Sequence, residues 1–79
     1  MTRIATFYSH FGAISFKRMC VSYGVPARMM PVPRALSSSC GTCVRYESES
    51  LLPDGEEKED IEQIVEVYDD SYVCVYKNQ

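Results

Sequence analysis

Two cysteines stand among small polar residues near the middle of the chain, in residues 37–43 (SSSCGTC). The thiolate form of cysteine is the strongest nucleophile that a side chain offers on a loop of this kind. Small neighbours leave a sulfur accessible and let backbone amides approach it. The segment therefore predicts that Cys40 reacts covalently. The groups expected to bind an anionic substrate beside it are those of Ser37, Ser38, Ser39 and Gly41.

The spacing Cys40-x-x-Cys43 admits two further interpretations. In a thiol–disulfide oxidoreductase, Cys40 would attack and Cys43 would resolve the mixed disulfide. Such a motif usually opens a helix, whereas a strand-like sequence follows Cys43. A non-catalytic module that binds a ligand, a partner or zinc is the other alternative, but a structural zinc site needs four ligands. The sequence predicts no metal and no cofactor.

Three other polar residues are candidates for the same site. His10 is the single histidine of the chain, and it could pair with a thiolate or act as a base. Ser9 precedes a helical pattern, and Arg34 could attract an anionic sulfur donor. The two remaining cysteines, Cys20 and Cys74, lie in apolar stretches, so we expect them to be buried packing residues.

The composition indicates one small folded domain over residues 1–79. The chain has 46% hydrophobic and 24% charged residues, and its net charge is -3. This negative charge argues against nucleic acid as a partner. No apolar run is long enough to span a membrane, and no secretion signal is evident, which predicts a cytoplasmic protein with free thiols. So small a core would be helped by a homodimer.

Hydrophobic patterns predict the order strand, helix, strand, strand, helix, strand. Strands are expected over 3–8, 25–32, 42–47 and 71–77, and a first helix over 12–23 after a cap at Ser9. A second helix is expected around 61–68, because Ile61, Ile64, Val65 and Tyr68 recur at i, i+3, i+4 and i+7.

This order is typical of a ferredoxin-like βαββαβ sandwich, an α+β fold in which two helices cover one face of a four-stranded antiparallel sheet. In that topology the loop before the third strand lies at the same end of the sheet as the start of the first helix. We therefore expect Cys40 to lie near Ser9 and His10. Unsatisfied amides and a partial positive charge at a helix start would favour an anionic sulfur there.

Residues 4–46 resemble the selenium/sulfur carrier protein-like family of small domains. The resemblance rests on residues 6–9 (TFYS) followed by a helix, on the turn at 24–26 (GVP), and above all on residues 31–41 (PVPRALSSSCG). It implies a carrier protein rather than a true enzyme. Cys40 would hold sulfur or selenium as a persulfide or selenenylsulfide, receive it from a donor enzyme and pass it to an acceptor protein. Cys43 departs from the family pattern, in which an apolar residue is expected at this position.

Overall fold

The computed structural model describes residues 1–48, 55–69 and 71–78, and they form five strands, one α-helix and a short 3₁₀ helix. In chain order the elements are β1 (Thr2–Phe7), α1 (His10–Ser22), β2 (Ala27–Pro31), β3 (Thr42–Glu47), the 3₁₀ helix (Gly55–Asp60), β4 (Ile61–Tyr68) and β5 (Ser71–Lys77). All strand pairs are antiparallel, and the order across the sheet is β2-β3-β1-β4-β5.

The predicted ferredoxin-like βαββαβ sandwich with a four-stranded sheet is wrong, because the segment predicted as the second helix is strand β4. Its apolar residues fit a helical period, yet they are mostly β-branched, and β4 pairs on both sides, with β1 and β5. Ile64 is buried on one face of the sheet and Val65 on the other. A strand that is buried on both faces loses the simple alternation of apolar and polar residues and imitates a helix.

Helix α1 has the N-cap and the C-terminal stop that the sequence predicts, and it runs over His10–Ser22 rather than 12–23. Ser9 is the N-cap, with extended backbone (φ -140°, ψ 156°), and its hydroxyl accepts a hydrogen bond from the Gly12 amide at 3.1 Å. At the other end, Gly24 takes a positive φ of 74°, which reverses the chain toward β2. None of the helices among the described residues is long and apolar enough to cross a membrane.

The sheet has two different faces. On one face, α1 packs against a core that includes Phe7, Phe16 and Tyr46, with Phe16 stacked edge-on to Tyr46 at 5.1 Å between ring centroids. The opposite face carries a smaller buried cluster of Ile4, Cys43 and Val65. Partly buried side chains pack around this second cluster, and they are Met30, Val32, Leu36, Val67 and Tyr72. We refer to these as the helix face and the open face.

Candidate functional site

Cys40 lies in the loop that connects β2 to β3. Both ends of this loop are closed by the sheet, since Pro31 pairs with Thr42 and the Val32 amide donates to the Gly41 carbonyl at 3.2 Å. Gly41 has a φ of 75°, a backbone conformation that favours glycine. The turn at Gly41 delivers the chain into β3 and leaves Cys40 at the rim of the sheet.

The thiol of Cys40 is half-buried. Its Sγ donates to the Thr42 carbonyl at 3.4 Å, and its backbone amide lies 3.4 Å from the Ser38 hydroxyl. The side chain packs against the helix-face core without joining the fully buried set. The Cys40 side chain thus contacts the helix-face core and the Thr42 carbonyl, while part of its surface is open to solvent.

The loop is tied to the start of α1. Ser38 donates its hydroxyl to the Phe7 carbonyl at 3.1 Å, at the end of β1 and two residues before the helix cap. His10 Nδ1 lies 3.4 Å from the Thr42 hydroxyl. The link from Cys40 to His10 therefore runs through Thr42, which contacts the thiol by its carbonyl and the imidazole by its side chain. Ser9, Ser38, Cys40 and His10 share this end of the sheet.

Ser39 donates two hydrogen bonds to the carboxylate of Glu62 on β4. Its amide donates to Glu62 Oε1 at 2.7 Å and its hydroxyl to Glu62 Oε2 at 3.1 Å. Sequence reasoning missed Glu62, because the partners are 23 residues apart and the segment around Glu62 was assigned to a helix. No local pattern marks such a residue. The hydroxyls of Ser38 and Ser39 and the amide of Ser39 are thus engaged with protein groups in this structure.

The other predicted binding residues lie farther out. Ser37 is exposed and lines a polar cleft of about 190 Å³, with Tyr8, Glu62, Gln63, Lys77 and Asn78. Arg34 is exposed at the far turn of the loop, where the Leu36 amide donates to the Pro33 carbonyl. The structure thus bonds Ser38 to the end of β1 and Ser39 to Glu62, links Cys40 to His10 through Thr42, and leaves Arg34 exposed.

Cys43 occupies a different environment from Cys40. It is fully buried in the open-face cluster, and its Sγ lies 3.7 Å from the Pro31 carbonyl. Burial, with a smaller contribution from the nearby Cys40 thiol, raises the pKa of Cys43 to about 11. A thiol that is neutral and enclosed at pH 7 is poorly suited to resolve a disulfide.

The remaining cysteines differ from each other. Cys20 is fully buried on α1, as predicted, and burial raises its pKa to about 11. The prediction that Cys74 is a buried packing residue is wrong, because β5 is the outer strand of the sheet and Cys74 is exposed on it. All four cysteines are free thiols. Cys74 is therefore the natural comparison for the reactivity of Cys40.

A zinc-binding module was one of the alternatives to a covalent carrier. Within residues 1–48, 55–69 and 71–78, no group of three or more histidine, cysteine, aspartate or glutamate side chains is placed to hold a metal ion.

The model of the family described as "Putative Se/S carrier protein-like" matches residues 2–76, nearly the whole chain. The chain belongs to this family. The resemblance found in residues 4–46 is confirmed, and the match extends through β4 and most of β5. No curated protein and no solved structure matches the chain significantly.

Proposed function

We propose that this protein carries a sulfur or selenium atom on Cys40 and transfers it from a donor enzyme to an acceptor protein. Family membership supplies the chemical class. The observation that supports Cys40 as the carrier is its half-buried thiol in a loop that the sheet and the start of α1 hold in place, while Cys20 and Cys43 are fully buried.

The chemistry is two successive exchange reactions. In loading, the Cys40 thiolate attacks the outer sulfur of a donor persulfide. A new S–S bond forms on Cys40, the S–S bond of the donor breaks, and the donor thiolate leaves and takes up a proton. In discharge, an acceptor thiolate attacks the outer sulfur and the Cys40 thiolate leaves. With selenium as the outer atom the bonds change in the same way, and neither step needs an external oxidant.

The surroundings of Cys40 suit an atom that must be reached by two partners in turn. Exposed aromatic side chains stand at the same end of the sheet, with Tyr8 45% and Phe11 72% exposed on either side of His10. Exposed aromatic groups at the same end of the sheet as Cys40 would contribute apolar area to a transient contact surface. Donor and acceptor would approach Cys40 across this end. His10 would pair with charge that develops on Cys40, since Thr42 contacts both residues.

The dithiol alternative receives no support from the geometry. Cys40 packs toward the helix-face core and Cys43 lies within the open-face cluster. A disulfide between them would require Cys43 to leave its buried position and β3 to bend, since disulfide geometry tolerates little deviation. A carrier needs Cys40 alone.

The test is loading by a cysteine desulfurase with cysteine as the sulfur source, followed by quantification of protein-bound persulfide. Cys40→Ser is expected to lose the persulfide. Cys74→Ser removes the exposed thiol at the outer strand and should load like the parent, which makes it the matched control. Equal loading of the Cys40→Ser variant and the parent would overturn the proposal.

A further inference from the structure

The carboxylate of Glu62 binds both donors of Ser39, the residue immediately before Cys40. The two distances, 2.7 Å from the amide to Oε1 and 3.1 Å from the hydroxyl to Oε2, are those of strong hydrogen bonds to a charged acceptor. We infer that Glu62 is a positioning residue for Cys40. This inference rests on the proposed function for its biological meaning, and we call the contact the Ser39–Glu62 clamp.

Glu62 is itself held firmly. Its backbone lies near the start of β4, where the register with β1 shifts between Ile61 and Gln63, and its carbonyl accepts a hydrogen bond from the Asn78 amide at 2.9 Å. The Asn78 side chain also donates to the Ile61 carbonyl at 3.2 Å. A carboxylate on such a strand is a fixed point against which a loop can be ordered.

Glu62 restrains the part of the loop that precedes Cys40. After Cys40, the chain is held by Gly41 and by the pairing of β3 with β2. Before Cys40, two polar contacts bond Ser38 and Ser39 to neighbouring strands, namely the Ser38 hydroxyl on the Phe7 carbonyl and the Ser39–Glu62 clamp. The clamp is the only one of these two that involves a charged partner. Removing it would free the residue next to the reactive sulfur.

The clamp also determines which hydrogen-bonding groups are available to the Cys40 sulfur. With Ser39 turned to Glu62, its amide and hydroxyl are unavailable to Cys40, and the thiol instead donates to the Thr42 carbonyl. When Glu62 is lost, we expect the loop to move more and the thiol to become more accessible to small reagents. Delivery by a large donor, which needs one defined sulfur position, should become slower.

The first test measures alkylation of Cys40 by iodoacetamide relative to Cys74 in the same molecule, so that Cys74 is an internal standard. Glu62→Ala should raise the Cys40 to Cys74 rate ratio several-fold. Glu62→Gln keeps an oxygen that can accept from the Ser39 amide, so its ratio should lie between those of the parent and Glu62→Ala. Glu59→Gln, a change at an exposed position of the 3₁₀ helix, is the matched control and should leave the ratio unchanged.

A second readout separates positioning from general stabilisation. The Ser39 amide proton should resonate downfield in the parent and move upfield in Glu62→Gln, while amides in β1 and β3 stay in place. An alkylation ratio that does not change while the Ser39 amide signal moves would overturn the inference. If Glu62→Ala does not fold, the Glu62→Gln ratio and amide shift decide the question alone.

The third test concerns transfer. If the parent loads persulfide from a desulfurase, Glu62→Ala should load several-fold more slowly, and unchanged loading would contradict the role of the clamp in transfer. If the parent never loads, the proposed function fails, yet the alkylation ratio and the amide shift still test the clamp. The two failures are therefore distinguishable.

Discussion

Cys40 and Cys43 are three residues apart, yet their side chains pack on opposite faces of the sheet. Cys40 contacts the helix-face core from a half-buried position, and Cys43 is completely enclosed with Ile4 and Val65 on the open face. Alternation along β3, which begins at Thr42, puts Cys43 on the open face, whereas Cys40 lies in the loop before the turn at Gly41. The two thiols that look like a redox pair in the sequence therefore occupy different environments in the structure.

Cys43 should behave as a core residue. Cys43→Ala leaves a small cavity in the open-face cluster, and we expect it to lower the free energy of unfolding by about 1 kcal/mol. Persulfide loading on Cys40 should persist, because transfer through Cys40 alone needs no second thiol. Urea unfolding and the loading assay measure the two effects. Loss of loading in a folded Cys43→Ala protein would return the dithiol mechanism to consideration.

Gly12 should not tolerate a larger residue. A Cβ there would lie 2.7 Å from the Asp60 Cβ and 3.4 Å from the Ser9 hydroxyl. The Asp60 carbonyl accepts from the Tyr8 amide, so this contact fixes the junction of β1 and α1. Gly12→Ala should cost about 1–3 kcal/mol of stability through overpacking. Ser15→Ala, at an exposed position of the same helix, is the control for thermal unfolding. A melting temperature of Gly12→Ala equal to that of the parent would contradict the close packing.

The buried Arg3 should depend on Glu66. Arg3 Nη2 donates to Glu66 Oε2 at 3.0 Å, and the Tyr68 hydroxyl donates to Glu66 Oε1 at 2.9 Å. These bonds, led by that from Arg3, hold the pKa of Glu66 below its ordinary value of 4.5. Glu66→Gln should therefore be less stable than the parent at pH 7, since it leaves the guanidinium without its counter-charge.

The acid dependence supplies the check on that ion pair. A carboxyl group with a folded-state pKa below its unfolded value adds stability above the unfolded pKa, and this stability is lost as the pH falls through the folded pKa. The parent should thus lose part of its stability below about pH 4.5, and Glu66→Gln should lose less over the same range. Identical acid profiles for the two proteins in urea titrations would contradict the ion pair.

Alkaline stability should reflect the enclosed thiols. Burial raises the pKa of Cys20 and of Cys43 from 9.0 to about 11, and that of Tyr46 from 10.0 to about 12. Groups with raised folded-state pKa values contribute fully below the unfolded pKa, and their contribution is lost as the pH rises through the folded one. The free energy of unfolding should hence fall from pH 9 to pH 11.

A variant without the two buried cysteines is the control for this fall in the free energy of unfolding. A Cys20→Ala/Cys43→Ala protein should show a shallower decline over the same pH range than the parent, because only Tyr46 of the three groups remains. Measurements by urea unfolding at fixed ionic strength would reveal it. A decline of equal steepness in both proteins would place the alkaline sensitivity elsewhere.

Local signals in the sequence were reliable where local chemistry decides the structure. The cap at Ser9, the stop at Gly24 and strand β1 follow from side-chain hydrogen bonding, backbone freedom and β-branched composition. The sequence predicts Cys40 near the start of α1 even though the predicted fold is wrong. Both topologies place the loop before β3 at the same end of the sheet as the start of α1.

Non-local contacts explain the errors. Ile61 to Tyr68 satisfies a helical period, and only pairing with β1 and β5 makes it a strand. The same error concealed Glu62, whose contact with Ser39 exists only once β4 lies beside the cysteine loop. Cys74 was misjudged because an edge strand and a central strand can have similar sequences.

The most direct test of the carrier role is peptide mass spectrometry after a desulfurase and cysteine have loaded the native protein, with persulfides trapped before digestion. We expect the added mass of one sulfur atom on the peptide that contains Cys40, and none on the peptides that contain Cys20, Cys43 or Cys74. Added sulfur on Cys74 with Cys40 unmodified would contradict the assignment of Cys40 as the carrier.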